Sequence, residues 1–139
     1  RALRTGVDLF RRSPRLPAII RGPLGAARRA LKPLPQLGDA GALRMLLFAA
    51  DQPVLPVDAR VHRVALRLGY GAPDPQFRKS ARSAQRAMRA DLPCRDVDAL
   101  QRAVLYLSHH GAVTCTEADP HCTVCPLLRD CPEGKRRTP

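Results

Sequence analysis

Residues 115–131 read CTEADPHCTVCPLLRDC and hold four of the five cysteines in this chain of 139 residues. The gaps between successive cysteines are six, two and five residues. Two cysteines separated by two residues can place their thiolates on adjacent corners of one metal centre, and the longer gaps let the chain wrap round to supply two more. We therefore predict one four-thiolate metal site at Cys115, Cys122, Cys125 and Cys131. Soft thiolates bind both zinc and iron–sulfur clusters, so the spacing leaves both open.

The chain as a whole is strongly basic. It has 24 basic and 12 acidic residues, a formal net charge of +12, and every basic residue except Lys32, Lys79 and Lys135 is arginine. The arginine guanidinium binds phosphate through a planar fork of donors, so this excess favours a nucleic-acid partner. A coding bias that leaves an arginine-rich, solubilising surface would give the same composition.

Signals for membrane insertion or export are missing from the sequence as given. No stretch approaches the ~20 apolar residues of a membrane span, and the first residues lack the apolar run and cleavage site of a signal peptide. The cysteines are then expected to be metal ligands or free thiols in a reducing compartment. We expect a cytoplasmic protein, nucleoid-associated if bacterial, with no membrane partner and no obligate protein partner. Because the chain opens on Arg1 and not on methionine, we also expect it to begin partway into a longer protein.

The hydrophobic periodicity predicts an all-α fold. Every clear period is helical, and no run alternates as a strand does. Prolines interrupt the first 24 residues, where only a short helix near Val7 is expected. Further helices are predicted for residues 25–32, from Asp39, from Asp58 to Gly69, from Pro75 to Ala90 and from Asp98 to Gly111. In this interpretation Asp39, Asp58 and Asp98 are N-caps, and Gly69 and Gly111 end their helices.

The helix predicted from Pro75 is the most basic of these. Its cations are Arg78, Lys79, Arg82, Arg86 and Arg89. We expect their charges to be spread round the circumference of the helix, as on a solvated surface. Cys94 follows this helix and is expected to be a buried or idle thiol.

The cysteine spacing follows a predicted helix end, LSHHGAVT at residues 107–114. Together they resemble the cluster loop of the endonuclease III group, which are helix-hairpin-helix base-excision DNA glycosylases. The resemblance covers roughly residues 25–133 and implies a [4Fe–4S] cluster rather than zinc, with double-stranded DNA as the partner. It also implies a helix-hairpin-helix glycosylase fold, a partial six-helix barrel followed by the cluster loop. The implied domains are a poorly defined segment at 1–24, the helix-hairpin-helix part at 25–92, and the cluster helix, loop and basic tail at 93–139.

Residues 34–42, LPQLGDAGA, resemble the hairpin of this family, which is usually written L-P-G-x-G-x-x-x-A. A turn that opens a helix points unpaired backbone N–H groups outward at the positive end of the helix dipole, which suits a DNA phosphate. An ordinary helix–turn–helix joint has much the same sequence. DNA contacts are expected through the backbone of Gln36, Gly38, Asp39 and Ala40, with Arg44, Arg60 and Arg63 as phosphate partners. A solvated helix face is the alternative for the arginines.

Residues 55–64, LPVDARVHRV, resemble the family segment V-D-x-x-V/I-x-R-V, whose aspartate is the catalytic carboxylate. The resemblance therefore implies that Asp58 is catalytic. At a helix start, the dipole and the free N–H groups hold a carboxylate ionised. Such a group can activate water or stabilise positive charge on a sugar as a base departs. A plain N-cap is the simpler interpretation of Asp58.

Two residues depart from the family pattern. Members that cleave the DNA strand carry a lysine where the ungapped match puts Ala40, and alanine cannot form a Schiff base, so lysine-dependent AP-lyase activity is doubtful. Gln36 stands where the family usually has glycine. Three functions follow: a base-excision glycosylase that hydrolyses the N-glycosidic bond of a damaged or mispaired base, a non-catalytic DNA-binding iron–sulfur module, or a zinc-stabilised structural domain.

Overall fold

The computed structural model describes residues 7–8, 11–34, 37–93 and 95–138, and these residues form helices and loops without any strand. The predicted all-α class is confirmed for them. Gln36 and Cys94 lie outside the described residues. None of the described helices is both long enough and apolar enough to cross a membrane.

Seven α-helices with both ends described follow one another along the chain, and residues 7–8 and 11–12 are helical as well. The seven are α1 (Leu16–Arg21), α2 (Leu24–Leu31), α3 (Gly38–Ala49), α4 (Ala59–Arg67), α5 (Phe77–Asp91), α6 (Val97–Val113) and α7 (Pro132–Arg137), with a 3₁₀ turn at Cys122–Val124. The contacts divide the chain into an N-terminal unit, residues 1–56, and a C-terminal unit, residues 57–139. The domain limits drawn from the sequence, at residues 24 and 92, stay predictions.

The N-terminal unit contains α1, which the sequence analysis missed. Pro17 had been taken as a helix breaker, but it stands in the first turn of α1, where its missing N–H costs nothing. Gln52 secures the end of this helix, because its Nε2 donates to the carbonyl oxygens of Ile20 (3.1 Å) and Gly22 (2.6 Å). The apolar core of the unit includes Leu31, Leu46 and Leu47, each at most 1% exposed.

The C-terminal unit is built round α4. This helix packs against α5, α6 and α7, and its Val61, Val64 and Ala65 are buried. Gly111 of α6 is buried against it, since a Cβ there would lie 3.1 Å from Val64 Cγ2. Every cysteine of the predicted metal site belongs to this unit.

Three predicted helix ends were wrong. Leu37, not Asp39, is the N-cap of α3, and Asp39 lies in the first turn beside Arg28, at 3.6 Å. Asp96 caps α6 by accepting from Ala99 N (2.9 Å), which leaves Asp98 in the first turn. Gly111 does not end α6, because its missing side chain serves close packing and the helix runs on to Val113.

Candidate functional site

The four cysteines of the predicted metal site line one cavity of the C-terminal unit. The free volume of the cavity is about 20 Å³, and its apolar wall includes Val64, Leu68, Leu127 and Leu128. Cys131 is buried, and Cys115, Cys122 and Cys125 are half-buried. Among the residues that the structure describes, no three or more His, Cys, Asp or Glu side chains are arranged to hold a single metal ion. The thiols therefore share a cavity without forming a single-ion geometry.

Arg67, from the last turn of α4, is bonded to the start of this cysteine loop. Its Nη1 donates to Sγ of Cys115 (3.3 Å) and to the carbonyl oxygen of Thr116 (2.6 Å), and its Nη2 donates to the carbonyl oxygen of Glu117 (3.1 Å). Arg67 was not among the predicted site residues. Arg67 lies four residues after Arg63, so both are on one helix face. That spacing was the only sign in the sequence that Arg67 and Arg63 contact the same part of the chain.

Arg63 was predicted to contact phosphate, and its guanidinium lies against the protein backbone. Its Nη2 donates to the carbonyl oxygen of Gly111 (2.6 Å), and its Nε donates to that of Cys115 (3.1 Å). The side chain therefore joins α4 to the end of α6 and to the first cysteine. Arg60, one turn earlier, is exposed. Phosphate binding by either arginine stays a prediction.

Two of the sulfur atoms accept hydrogen bonds, Cys115 Sγ from Arg67 Nη1 and Cys131 Sγ from Gly134 N, while the Cys131 thiol itself donates to the carbonyl oxygen of Arg67 at 3.2 Å. Cys131 is the N-cap of α7, and its Sγ accepts from Gly134 N at 3.3 Å. His110 Nε2 lies 3.7 Å from Cys125 Sγ. Burial, and secondly the neighbouring His109, lower the pKa of His110, which favours its neutral form. Donors aimed at sulfur stabilise a bound iron–sulfur cluster, so the surroundings of these thiols fit that group.

Asp58 stands at the opposite end of α4 from Arg67. Its Oδ1 accepts from the backbone N–H groups of Arg60 (3.0 Å) and Val61 (2.9 Å), so the predicted N-cap is confirmed. The carboxylate is half-buried. These two donors fix it at the positive end of the helix dipole.

The hairpin residues belong to the N-terminal unit. Gly38 has a φ of +54°, a left-handed conformation that favours glycine, and it is exposed. Ala40 is half-buried in the first turn of α3. Arg44 holds its guanidinium 5.7 Å from the ring centre of Phe48. DNA contact by these residues stays a prediction.

The cations of α5 are not spread round the helix as the sequence analysis expected. At about 100° per residue, Arg78, Lys79, Arg82, Arg86 and Arg89 fall within an arc of about 100°. The opposite side of α5 carries the buried Ser80, Ala84 and Met88. The five cations therefore form one basic face, and the predicted spread of charge was wrong because residues three, four and seven apart return to the same side of a helix.

Comparison with known proteins relates this chain to one group. No protein-family model matches it. Endonuclease III of Bacillus subtilis (strain 168) is 28% identical over 110 residues, which are 79% of this chain and 47% of that protein.

Solved structures give the same result. A non-covalent endonuclease III–DNA complex matches with a TM-score of 0.66 and 28% identity, over 79% of this chain and 48% of the other. A trapped endonuclease III–DNA covalent intermediate, an estranged-adenine complex, matches with a TM-score of 0.62 and 28% identity, over 81% and 49%. The chain thus spans about half the length of the relatives it matches, and over that part it is endonuclease III-like in sequence and helical fold.

Proposed function

We propose, from this endonuclease III-like half-domain, that the protein acts in base-excision repair of double-stranded DNA, with Asp58 as the essential carboxylate. The observation that carries the proposal is the match to two endonuclease III–DNA structures over about four-fifths of the chain. The fixed carboxylate at the start of α4 supports it independently.

The proposed reaction is hydrolysis of the N-glycosidic bond. The oxygen of water bonds to C1′ of the sugar as the C1′–N bond breaks, and the base leaves with a proton. Positive charge builds on the sugar during this step, and a nearby carboxylate stabilises it or orients the water. The backbone N–H groups of Arg60 and Val61 hold the Asp58 carboxylate in a fixed position for that purpose.

The cofactor in this proposal is a [4Fe–4S] cluster held by Cys115, Cys122, Cys125 and Cys131. When bound, the cluster would tie the two ends of the 115–131 loop together. The chain's own contribution is the set of donors from Arg67 and Gly134 to the sulfur atoms. Purified protein should be brown, with broad absorption near about 400 nm and iron and sulfide in equal amounts. A colourless protein containing zinc would support the zinc-stabilised structural domain instead.

A DNA-binding module without catalysis is the second candidate, and Ala40 favours it. The side chain of Ala40 is a methyl group, which offers no nucleophile to the sugar. This module would bind duplex DNA with a strong salt dependence and release no base.

Base release separates the two candidates. Duplexes carrying an oxidised pyrimidine, a uracil or a mispair are incubated with the wild-type chain, with Asp58→Asn and with Asp96→Asn. Asparagine caps a helix as well as aspartate does, and Asp96 is also an N-cap, so the second variant controls for folding. We expect Asp58→Asn to bind duplex and release no base, while Asp96→Asn matches wild type. Full release by Asp58→Asn would remove this carboxylate from the reaction, and binding without release by wild type would establish the second candidate.

A further inference from the structure

Beside α5 lies a groove with charged side chains in its lining, and neither the cysteine loop nor Asp58 contributes to it. It measures about 590 Å³ and lies between the turn at residues 72–74 and the basic face of the helix. Lys79, Arg82 and Arg86 line it on the helix side, each of them exposed. Within the part of the chain that the structure describes, no hydrogen bond or ion pair engages the charged heads of these three side chains. Their positive charges therefore face the groove.

The opposite wall of the groove is fixed in place by two serines of α5. Ser83 Oγ accepts from Ala72 N (3.0 Å), and Ser80 Oγ donates to the carbonyl oxygen of Ala72 (3.0 Å). Gly71 has a φ of +82°, and a Cβ there would lie 2.4 Å from Ala84 N, so the turn is pressed against the helix backbone. These contacts therefore hold the turn against α5 without a bound ligand.

One carboxylate, that of Asp74, also lines the groove. Its Oδ1 accepts from Gln76 N at 2.7 Å, so a backbone hydrogen bond holds this side chain in the turn that leads into α5. Three cations against one carboxylate leave the groove positive. An anion entering it meets guanidinium and ammonium donors that suit phosphate oxygens.

We propose that this groove binds the phosphate backbone of DNA as a contact separate from the hairpin. Lys79 and Arg86 are seven residues apart, about 10 Å along the helix axis, a spread that suits repeated phosphates better than one free phosphate. Cations on one side and the turn at residues 72–74 on the other leave an open channel along α5 that suits the ridge of a phosphodiester backbone. That the ligand of this groove is a DNA duplex rests on the proposed function.

The salt dependence of duplex binding tests the proposal. Each phosphate that a cation neutralises adds about −0.9 to the slope of log K against log salt. The triple variant Lys79→Gln, Arg82→Gln, Arg86→Gln should therefore lose about two to three from the magnitude of the slope, measured by fluorescence anisotropy from about 50 to about 300 mM KCl. Single Arg82→Gln and Arg86→Gln variants should each lose about one.

A matched control removes the same charges from other exposed positions. Arg95→Gln, Arg102→Gln, Lys135→Gln also neutralises two arginines and one lysine, all exposed and none in the groove. Its slope should change by less than about one. The charge-preserving triple Lys79→Arg, Arg82→Lys, Arg86→Lys should keep the wild-type slope.

The outcomes separate this inference from the proposed function. If wild type binds duplex and releases base but the groove and control triples have equal slopes, the groove proposal is wrong and the proposed function stands. If wild type does not bind duplex, both fail. Sedimentation with phosphatidylserine–phosphatidylcholine vesicles gives a further check, and a groove triple that loses vesicle binding while keeping its duplex slope would overturn the DNA assignment.

Discussion

Arg67 Nη1 lies 3.3 Å from Cys115 Sγ, so the last turn of α4 is bonded directly to the first cysteine of the 115–131 loop. Asp58 caps the other end of the same helix. The nine residues of α4 extend about 13 Å at 1.5 Å per residue. One short helix therefore carries both the proposed catalytic carboxylate and the side chain that secures the cysteine loop.

Replacing Arg67 should loosen the cysteine loop. Arg67→Ala removes hydrogen bonds from a charged donor to the carbonyl oxygens of Thr116 and Glu117 and to a sulfur atom. We expect the free energy of unfolding in urea to fall by about 2 kcal/mol. The exposed Arg102→Ala in α6 should change it by less than about 0.5 kcal/mol. Equal stabilities of the two variants would contradict a structural role for Arg67.

Local signals in the sequence predicted the start of α4 but not what its arginines contact. Asp58 could be recognised as a cap because its partners, Arg60 N and Val61 N, lie two and three residues away. The partners of Arg67 lie about fifty residues further along the chain, and periodicity does not say which loop a helix face meets. The four cysteines line one cavity because their spacing itself limits where they can lie, and metal binding by them stays a prediction.

The misplaced caps have a different cause. Asp96 and Asp98 both precede the apolar face of α6, and composition does not distinguish them. Asp96 is the cap because its backbone is extended, with φ −83° and ψ 100°, and its carboxylate reaches Ala99 N. Only the backbone conformation decides between two such candidates.

Stability should fall on the acid side of neutrality because of His62. Its Nε2 lies 2.7 Å from Ser80 Oγ, and since Ser80 donates its one proton to Ala72, Nε2 must be the donor. Burial lowers the pKa of His62 below its ordinary value of about 6.5. The folded state therefore binds fewer protons than the unfolded state, so this stabilisation is present above about pH 6.5 and is lost as pH falls through the folded pKa.

The measurement is the urea midpoint between about pH 5 and pH 8. His62→Gln keeps a donor but does not titrate, so its midpoint should fall less on acidification than that of wild type. His121→Gln, at an exposed position, should follow the wild-type curve. A His62→Gln curve parallel to wild type would show that the fold does not depend on the charge of this histidine.

Two glycines with left-handed backbones should respond very differently to alanine. Gly69 has a φ of +90° and its nearest neighbour would be a side-chain atom of Pro132 at 3.7 Å, so Gly69→Ala meets backbone strain alone, about 1–2 kcal/mol. In Gly71→Ala the new Cβ would also meet Ala84 N at 2.4 Å. We expect a loss of about 3 kcal/mol or more for Gly71→Ala, measured by urea unfolding. Equal losses would mean that the turn before α5 can move away from the helix.

The hairpin provides a test of covalent chemistry, because Ala40 stands where the resemblance places a lysine nucleophile. An abasic-site duplex already carries a free C1′ aldehyde, so no base needs to be released first. A lysine amine adds to that carbon, water leaves, and borohydride reduces the resulting iminium to a stable cross-link. The wild-type chain should give no hairpin cross-link. Ala40→Lys should give a protein–DNA band on a denaturing gel, if the hairpin approaches the sugar.

The position of the lysine is what this experiment measures, so its control is a lysine one turn away. Leu43→Lys adds the same amine to α3 three residues further along and should give no cross-link above wild type. Both variants must bind the abasic duplex for the comparison to count, which anisotropy establishes beforehand. A cross-link from Ala40→Lys alone supports the proposed register of the hairpin against the sugar. Equal yields from the two variants, or none from Ala40→Lys when it binds the duplex, would show that residue 40 does not face C1′.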